Sequence, residues 1–151
     1  MDLSYQEKSI LGSLLAVVVV YGYYFASVLR AIGRPEFDGG SLGRLMLAVI
    51  AIIVIEVVYH IVLALESKTE PKDERDTLIE CKAYRNAYFL LATGAALVIT
   101  YVIVAGLARD AAPTRIIVTP FLTINLVLFV MVVAELVKFL TQLFYYRWGL
   151  R

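Results

Sequence analysis

Four long apolar runs constrain this chain more than any other feature. They cover Ser9–Leu29, Leu42–Leu65, Ala87–Ala108 and Ile116–Phe144. A helix needs about 20 predominantly apolar residues to cross the hydrocarbon core of a bilayer, and each run reaches that length. The chain has 151 residues, 61 % of them hydrophobic, whereas an ordinary soluble domain is about 45–50 % apolar. The runs predict one all-α domain, residues 1–151, that forms a four-helix bundle in the cell membrane with multiple passes.

One of the connections between these runs is strongly charged. Residues 66–85 form the only substantial soluble surface, and they mix basic with acidic side chains. Pro71 is suited to the first turn of a helix, and the acids that follow it are favourable near a helix N-terminus. A helix from about Pro71 would continue into the third span and project from the membrane. The alternative is a solvated charged loop.

The distribution of basic residues predicts the orientation, because lysine and arginine are enriched in cytoplasmic connections. One side of the bundle carries eight basic residues: Lys8, Lys68, Lys72, Arg75, Lys82, Arg85, Arg147 and Arg151. The other side carries five: Arg30, Arg34, Arg44, Arg109 and Arg115. We therefore expect both termini in the cytoplasm.

Composition excludes several kinds of chemistry. The single cysteine, Cys81, rules out an internal disulfide, and the single histidine, His60, rules out a three-histidine zinc site. The net charge of +1 gives no electrostatic signal for direct nucleic-acid binding. A nucleophile-base constellation is also missing. We expect no enzyme activity, no cofactor and no metal; the lipid bilayer is the certain partner, and a second copy of the chain is a candidate.

Four ionisable residues lie inside the predicted spans, where such groups are costly and are functional candidates by default. Glu56 and His60 are four residues apart on the second span, and Glu135 and Lys138 are three apart on the fourth. At those spacings both members of a pair share one helix face. Both pairs lie towards the cytoplasmic side in the predicted topology, so the four residues can form one intramembrane polar cluster.

This cluster has two interpretations. In the first, it is a structural lock in which each acid is paired with its base and hydrogen bonds hold the spans together. In the second, Glu56, His60 and Glu135 form the proton or cation site of a small proton-coupled transporter or channel. A cavity that reaches these carboxylates from water would favour the second. Asn125, deep in the fourth span, is expected to hydrogen-bond a neighbouring helix.

The charged segment suggests a partner-binding surface. On a helix, Arg75, Ile79 and Lys82 fall along one side, because residues three and four apart are neighbours. Leu78 lies beside Ile79 and would widen the apolar stripe. An apolar anchor between two cations is suited to an acidic groove on a cytoplasmic protein. The alternative is a charged collar that only fixes the orientation of the chain.

A resemblance supports the partner hypothesis. The residues Lys72-Asp73-Glu74-Arg75-Asp76, followed by Ala83-Tyr84-Arg85, resemble a widespread uncharacterised family of small bacterial and archaeal four-span membrane proteins with a KDERD-like motif before the third span. The tail Tyr146-Arg147-Trp148-Gly149 is similar to that family's Tyr-Arg-Arg-Gly ending, with Trp148 replacing the second arginine. The family's genes often neighbour one for a helix-turn-helix regulator. The resemblance implies a non-enzymatic signalling or sequestering partner of a cytoplasmic protein such as a transcription regulator.

Overall fold

Four helices make up the described part of the chain. The computed structural model describes residues 4–31, 41–66, 73–111 and 120–149. The helices are α1 (Tyr5–Ala31), α2 (Ser41–Glu66), α3 (Glu74–Ala111) and α4 (Pro120–Trp148), and each is long and apolar enough to cross a membrane. The predicted all-α four-span fold is confirmed. Pro71 and the predicted start of the fourth span at Ile116 lie outside the described residues.

Local sequence explains where the helices begin and end. Ser4 and Glu7 form a reciprocal cap at the start of α1, in which each backbone N–H donates to the other residue's side chain. Asp73 and Asp76 do the same at the start of α3. Gly149 follows α4 with a φ of +79° and donates its N–H to the Tyr145 carbonyl. A glycine tolerates this left-handed conformation and so ends the helix.

The helices pack in the spatial order α2–α1–α4–α3. α1 contacts both α2 and α4, while α3 packs mainly along α4. We call the end at which α1 and α3 begin and α2 and α4 finish the terminal end, and the opposite end the far end. The flanking helices α2 and α3 expose most of their apolar side chains, and this surface is suited to contact with lipid.

Apolar side chains pack the helices together in the far half of the molecule. Tyr24, Val28, Leu45 and Ala48 form one buried cluster between α1 and α2. A second cluster joins Val17 of α1, Ile52 of α2 and Val132 of α4. These contacts hold α1 against α2 and α4, and a mainly apolar groove of about 290 Å³ runs beside Tyr24 and Ala48 between α1 and α2.

A buried hydrogen bond fixes the far half. The Tyr24 hydroxyl donates to Asn125 Oδ1 at 2.7 Å, and Asn125 Nδ2 donates to the Phe121 carbonyl at 2.9 Å. The expected bond from Asn125 to a neighbouring helix is therefore confirmed. It links α1 to α4 at the level of the apolar clusters.

The beginning of α3 is helical, as predicted, but it does not project freely. Ile79 and Ala83 are completely buried. The Tyr146 hydroxyl donates to Asp76 Oδ1 at 2.8 Å, and the Lys82 ammonium lies 5.1 Å from the centre of the Tyr145 ring. α3 and α4 thus remain packed together up to the terminal end, and α4 extends to Trp148, close to its predicted end at Tyr146.

Candidate functional site

A polar cavity of about 480 Å³ opens between the four helices at the terminal end. Its walls combine carboxylates, one lysine, one histidine, hydroxyls and amides. These polar lining residues are Gln6, Ser9, Ser13, Tyr21, Glu56, His60, Asp76, Glu80, Tyr84, Glu135, Lys138, Gln142 and Tyr146. All four members of the predicted intramembrane cluster line this one cavity.

The first polar centre joins α2 to α1. Glu56 Oε2 accepts a hydrogen bond from the Ser13 hydroxyl at 2.8 Å and lies 3.2 Å from His60 Nε2. Ser13 Oγ is also 3.3 Å from His60 Nε2. The Glu56–His60 pair was predicted from spacing, but its connection to Ser13 was not.

The three side chains can share their protons consistently when Glu56 is ionised. A serine hydroxyl has one proton, and Ser13 donates it to Glu56. Because a carboxylate only accepts hydrogen bonds, a proton on His60 Nε2 would then be directed at the Glu56 and Ser13 oxygens.

The second polar centre lies on α4 and faces α3. The Lys138 ammonium donates to Glu135 Oε2 in a short contact. It also lies 4.4 Å from the centre of the Phe139 ring and 5.4 Å from that of Tyr84. Such distances are typical of cation–π interactions. Lys138 is thus enclosed by one carboxylate and two aromatic rings.

In each centre, the two paired side chains are buried to different extents. The Lys138 side chain is 14 % exposed, whereas Glu135 is 51 % exposed. In the other centre, His60 is 46 % and Glu56 26 % exposed. In each centre the two side chains are paired, and all four line the cavity.

Sequence reasoning missed most of the other lining residues, although one signal was present. Gln6, Ser9 and Ser13 follow each other at spacings of three and four on α1, which places them along one helix face. A polar stripe on an apolar span indicates a face turned away from lipid. Asp76 and Tyr146 gave no such signal, because their contact depends on the packing of α3 against α4.

The predicted partner-binding stripe is wrong in one position. Ile79, its apolar anchor, is completely buried, and it cannot contact a partner. Leu78 is 55 % exposed and takes the outward position. Arg75 is exposed, while Lys82 is partly buried over Tyr145. Arg75 and Leu78 therefore face outward, and Lys82, spaced four residues after Leu78, lies at the edge of that surface.

Within the described ranges, no group of three or more histidine, cysteine or acidic side chains is arranged to hold a metal ion. Comparison of the chain with protein-family models, with curated protein sequences and with solved structures gives no match. The interpretation of the cavity therefore depends on its own geometry.

Proposed function

We propose that this protein is a proton-coupled carrier of a small cation in the cell membrane. The supporting observation is the polar cavity, which reaches the Glu56 and Glu135 carboxylates from the terminal end while apolar clusters pack α1, α2 and α4 together beyond it. With this packing, a solute reaches the site from the terminal end. That geometry fits a carrier better than a continuous channel.

The charges of the cavity favour a cation. Its walls contain four carboxylates, from Glu56, Asp76, Glu80 and Glu135, against the lysine ammonium and one histidine. A cleft lined mostly by one sign of charge and bounded by low-dielectric walls concentrates ions of the opposite sign. An anionic substrate would meet net repulsion there.

Glu56 is the residue best situated to couple protons to the carrier's conformation. An ionised carboxylate only accepts hydrogen bonds, but a protonated one also donates. Protonation of Glu56 would therefore add a donor to this centre and leave fewer acceptor sites for Ser13 and His60, which favours a rearrangement of the three side chains. Because Ser13 belongs to α1 and the other two to α2, this rearrangement acts directly on the contact between these helices. Proton occupancy and helix packing are linked through three side chains.

The proposal is tested with purified protein in liposomes that contain a trapped pH-sensitive dye. After an inside-acidic gradient is imposed, sodium, potassium or guanidinium is added outside, and proton release is followed. We expect one of these cations to release protons faster than in empty liposomes. Glu56→Gln, which retains the shape of the side chain but loses its charge, should slow this release about tenfold or more.

Glu74→Gln is the matched control, since Glu74 is exposed at the start of α3 and does not line the cavity. It makes the same charge change and should leave proton release unaltered. The proposal fails if no cation accelerates proton release, or if Glu56→Gln, folded by circular dichroism, retains full activity.

The exposed residues Arg75 and Leu78, with the partly buried Lys82 one turn further along α3, support a second candidate function. An outward leucine on a packed, rigid helix, with a cation on each side, is suited to an acidic groove. We therefore propose, as the alternative, that the protein sequesters or signals to a cytoplasmic partner such as a transcription regulator.

This alternative is tested by affinity purification of the full chain from its native membrane. Arg75→Glu combined with Leu78→Glu should remove a reproducible soluble partner without affecting membrane insertion. Lys8→Glu is the control, because Lys8 is an exposed cation at the same end of the bundle. If the unaltered chain yields no reproducible partner, or if Lys8→Glu has the same effect, the docking hypothesis is wrong.

A further inference from the structure

The enclosure around Lys138 resembles a binding site for an ammonium ion that the protein's own side chain fills. Glu135 supplies the carboxylate, and the rings of Phe139 and Tyr84 lie 4.4 and 5.4 Å from the ammonium. A carboxylate with aromatic faces is the arrangement by which proteins recognise organic ammonium ligands. Lys138 and Glu135 are on α4, but Tyr84 comes from α3. Two helices thus form this site.

Three of these residues border two different spaces. One is the polar cavity of about 480 Å³. The other is an apolar groove of about 220 Å³ between α3 and α4, lined beyond the charged pair mainly by Ala87, Tyr88, Leu91 and Met131. Tyr84, Glu135 and Lys138 line both spaces. The ammonium position is therefore adjacent to water-accessible polar walls and to an apolar surface.

From this juxtaposition we propose that the site binds amphipathic primary ammonium compounds, whose head replaces the Lys138 ammonium at Glu135 and whose apolar tail lies in the groove between α3 and α4. The inference extends the proposed carrier function by naming the class of cation. Lys138 has a flexible stem, so it can move aside and act as a tethered competitor for the site. When no ligand is bound, its charge keeps Glu135 paired.

The chemistry favours a free amine over an aminophospholipid. A phosphatidylethanolamine head group also ends in a primary ammonium, but its phosphate lies a few atoms away. That phosphate would approach Glu135, and the cavity wall beyond it carries Asp76 and Glu80. Like charges in such surroundings repel. A simple alkyl chain has no such conflict.

The test is equilibrium binding of radiolabelled hexylammonium to the full chain in phosphatidylcholine nanodiscs, with the signal from empty nanodiscs subtracted. Lys138→Met removes the tethered competitor and should bind hexylammonium about tenfold more tightly than the natural chain. Adding Glu135→Gln to that variant should reverse the gain. If Lys138→Met does not fold, Lys138→Gln makes the same test.

Control ligands and a groove variant distinguish the contribution of the ammonium head to binding from that of the alkyl tail. Hexanol, which has the tail without the charge, should not compete, and methylammonium should bind about tenfold more weakly than hexylammonium. Ala87→Phe fills the groove without altering the charged pair, so it should weaken hexylammonium binding and leave methylammonium binding unchanged. Nanodiscs that contain phosphatidylethanolamine should give the same affinity as those without it.

Several results would overturn the inference: equal affinity in the natural chain and Lys138→Met, competition by hexanol, or loss of binding when phosphatidylethanolamine is present. These outcomes are separable from failure of the carrier function. Proton release driven by guanidinium without hexylammonium binding would leave the carrier proposal intact and reject the inference. Hexylammonium binding without any cation-driven proton release would support the inference and reject the carrier proposal.

Discussion

The two halves of this molecule use the same four helices in opposite ways. In the far half, Tyr24, Leu45 and Ala48 are buried together, and the polar groups of Tyr24 and Asn125 satisfy each other. In the terminal half, Glu56 and His60 are paired but line an open cavity. A bundle that needed only to be stable would close both halves. The contrast is what the proposed carrier function requires: a polar cavity in the terminal half and apolar packing beyond it in the far half.

The largest expected effect is at the close approach of α1 and α2 in the terminal half. A Cβ added at Gly12 would overlap the ring of Tyr59, whose hydroxyl donates to the Lys8 carbonyl at 2.6 Å. The Tyr59 ring must rotate away and give up its bond to Lys8, so Gly12→Val should lower the free energy of unfolding in detergent by about 3 kcal/mol. Gly22→Val on the same helix is the control, because nothing lies within 4 Å of an added Cβ there. Equal losses at both glycines would contradict the packing described for α1 and α2.

The next effect tests whether the far half is dry. Tyr24→Phe leaves Asn125 Oδ1 buried without its donor. We expect a loss of about 1–3 kcal/mol, since no water replaces the hydroxyl. Tyr23→Phe removes the same atom from a side chain that is 80 % exposed, and it should change the unfolding free energy little. If the two variants unfold alike, the far half is not closed.

The smallest effect tests whether the terminal half is wet. Glu56→Leu removes the acceptor used by Ser13 and His60. Water in the cavity can satisfy both donors, so we expect a loss of about 1 kcal/mol or less, below that of Tyr24→Phe. Chemical unfolding of the two variants in the same detergent makes the comparison. A larger loss for Glu56→Leu would support the structural lock over an open site.

Much of this architecture can be predicted from the sequence, because lipid demands long apolar helices. The pairing of Glu56 with His60 follows from a spacing of four residues, and the interhelical bond of Asn125 follows from the cost of an unpaired amide in lipid. These predictions depend on one helix at a time or on a single polar group. Local chemistry was sufficient for them.

The order of the helices could not be predicted in the same way. In a membrane protein, the faces that meet lipid and the faces that pack are both apolar, so hydropathy does not distinguish them. The burial of Ile79 with Leu78 outward, and the bond from Ser13 to Glu56, both depend on which helices are neighbours. The cavity is a consequence of the same packing. From the sequence it could be predicted only as one of two alternatives, a proton or cation site as opposed to a structural lock.

The contrast between a wet and a dry half is tested most directly by thiol reactivity. Ser13→Cys and Val28→Cys are made separately in a Cys81→Ala background, and the rate of reaction with N-ethylmaleimide is measured in liposomes. Maleimides react with the thiolate, which forms readily in water and poorly in apolar surroundings. Val28 lies three residues from the end of α1 at Ala31, whereas Ser13 lies eight residues from the start at Tyr5. Depth along the helix alone would make Val28→Cys the faster.

We expect the cavity to reverse that order of reaction rates. We predict that Ser13→Cys reacts about tenfold or more faster than Val28→Cys. A membrane-impermeant thiol reagent should protect Ser13→Cys from one side of the membrane only. Equal rates, or a faster reaction at Val28→Cys, would contradict the division of the molecule into a closed far half and an open terminal half.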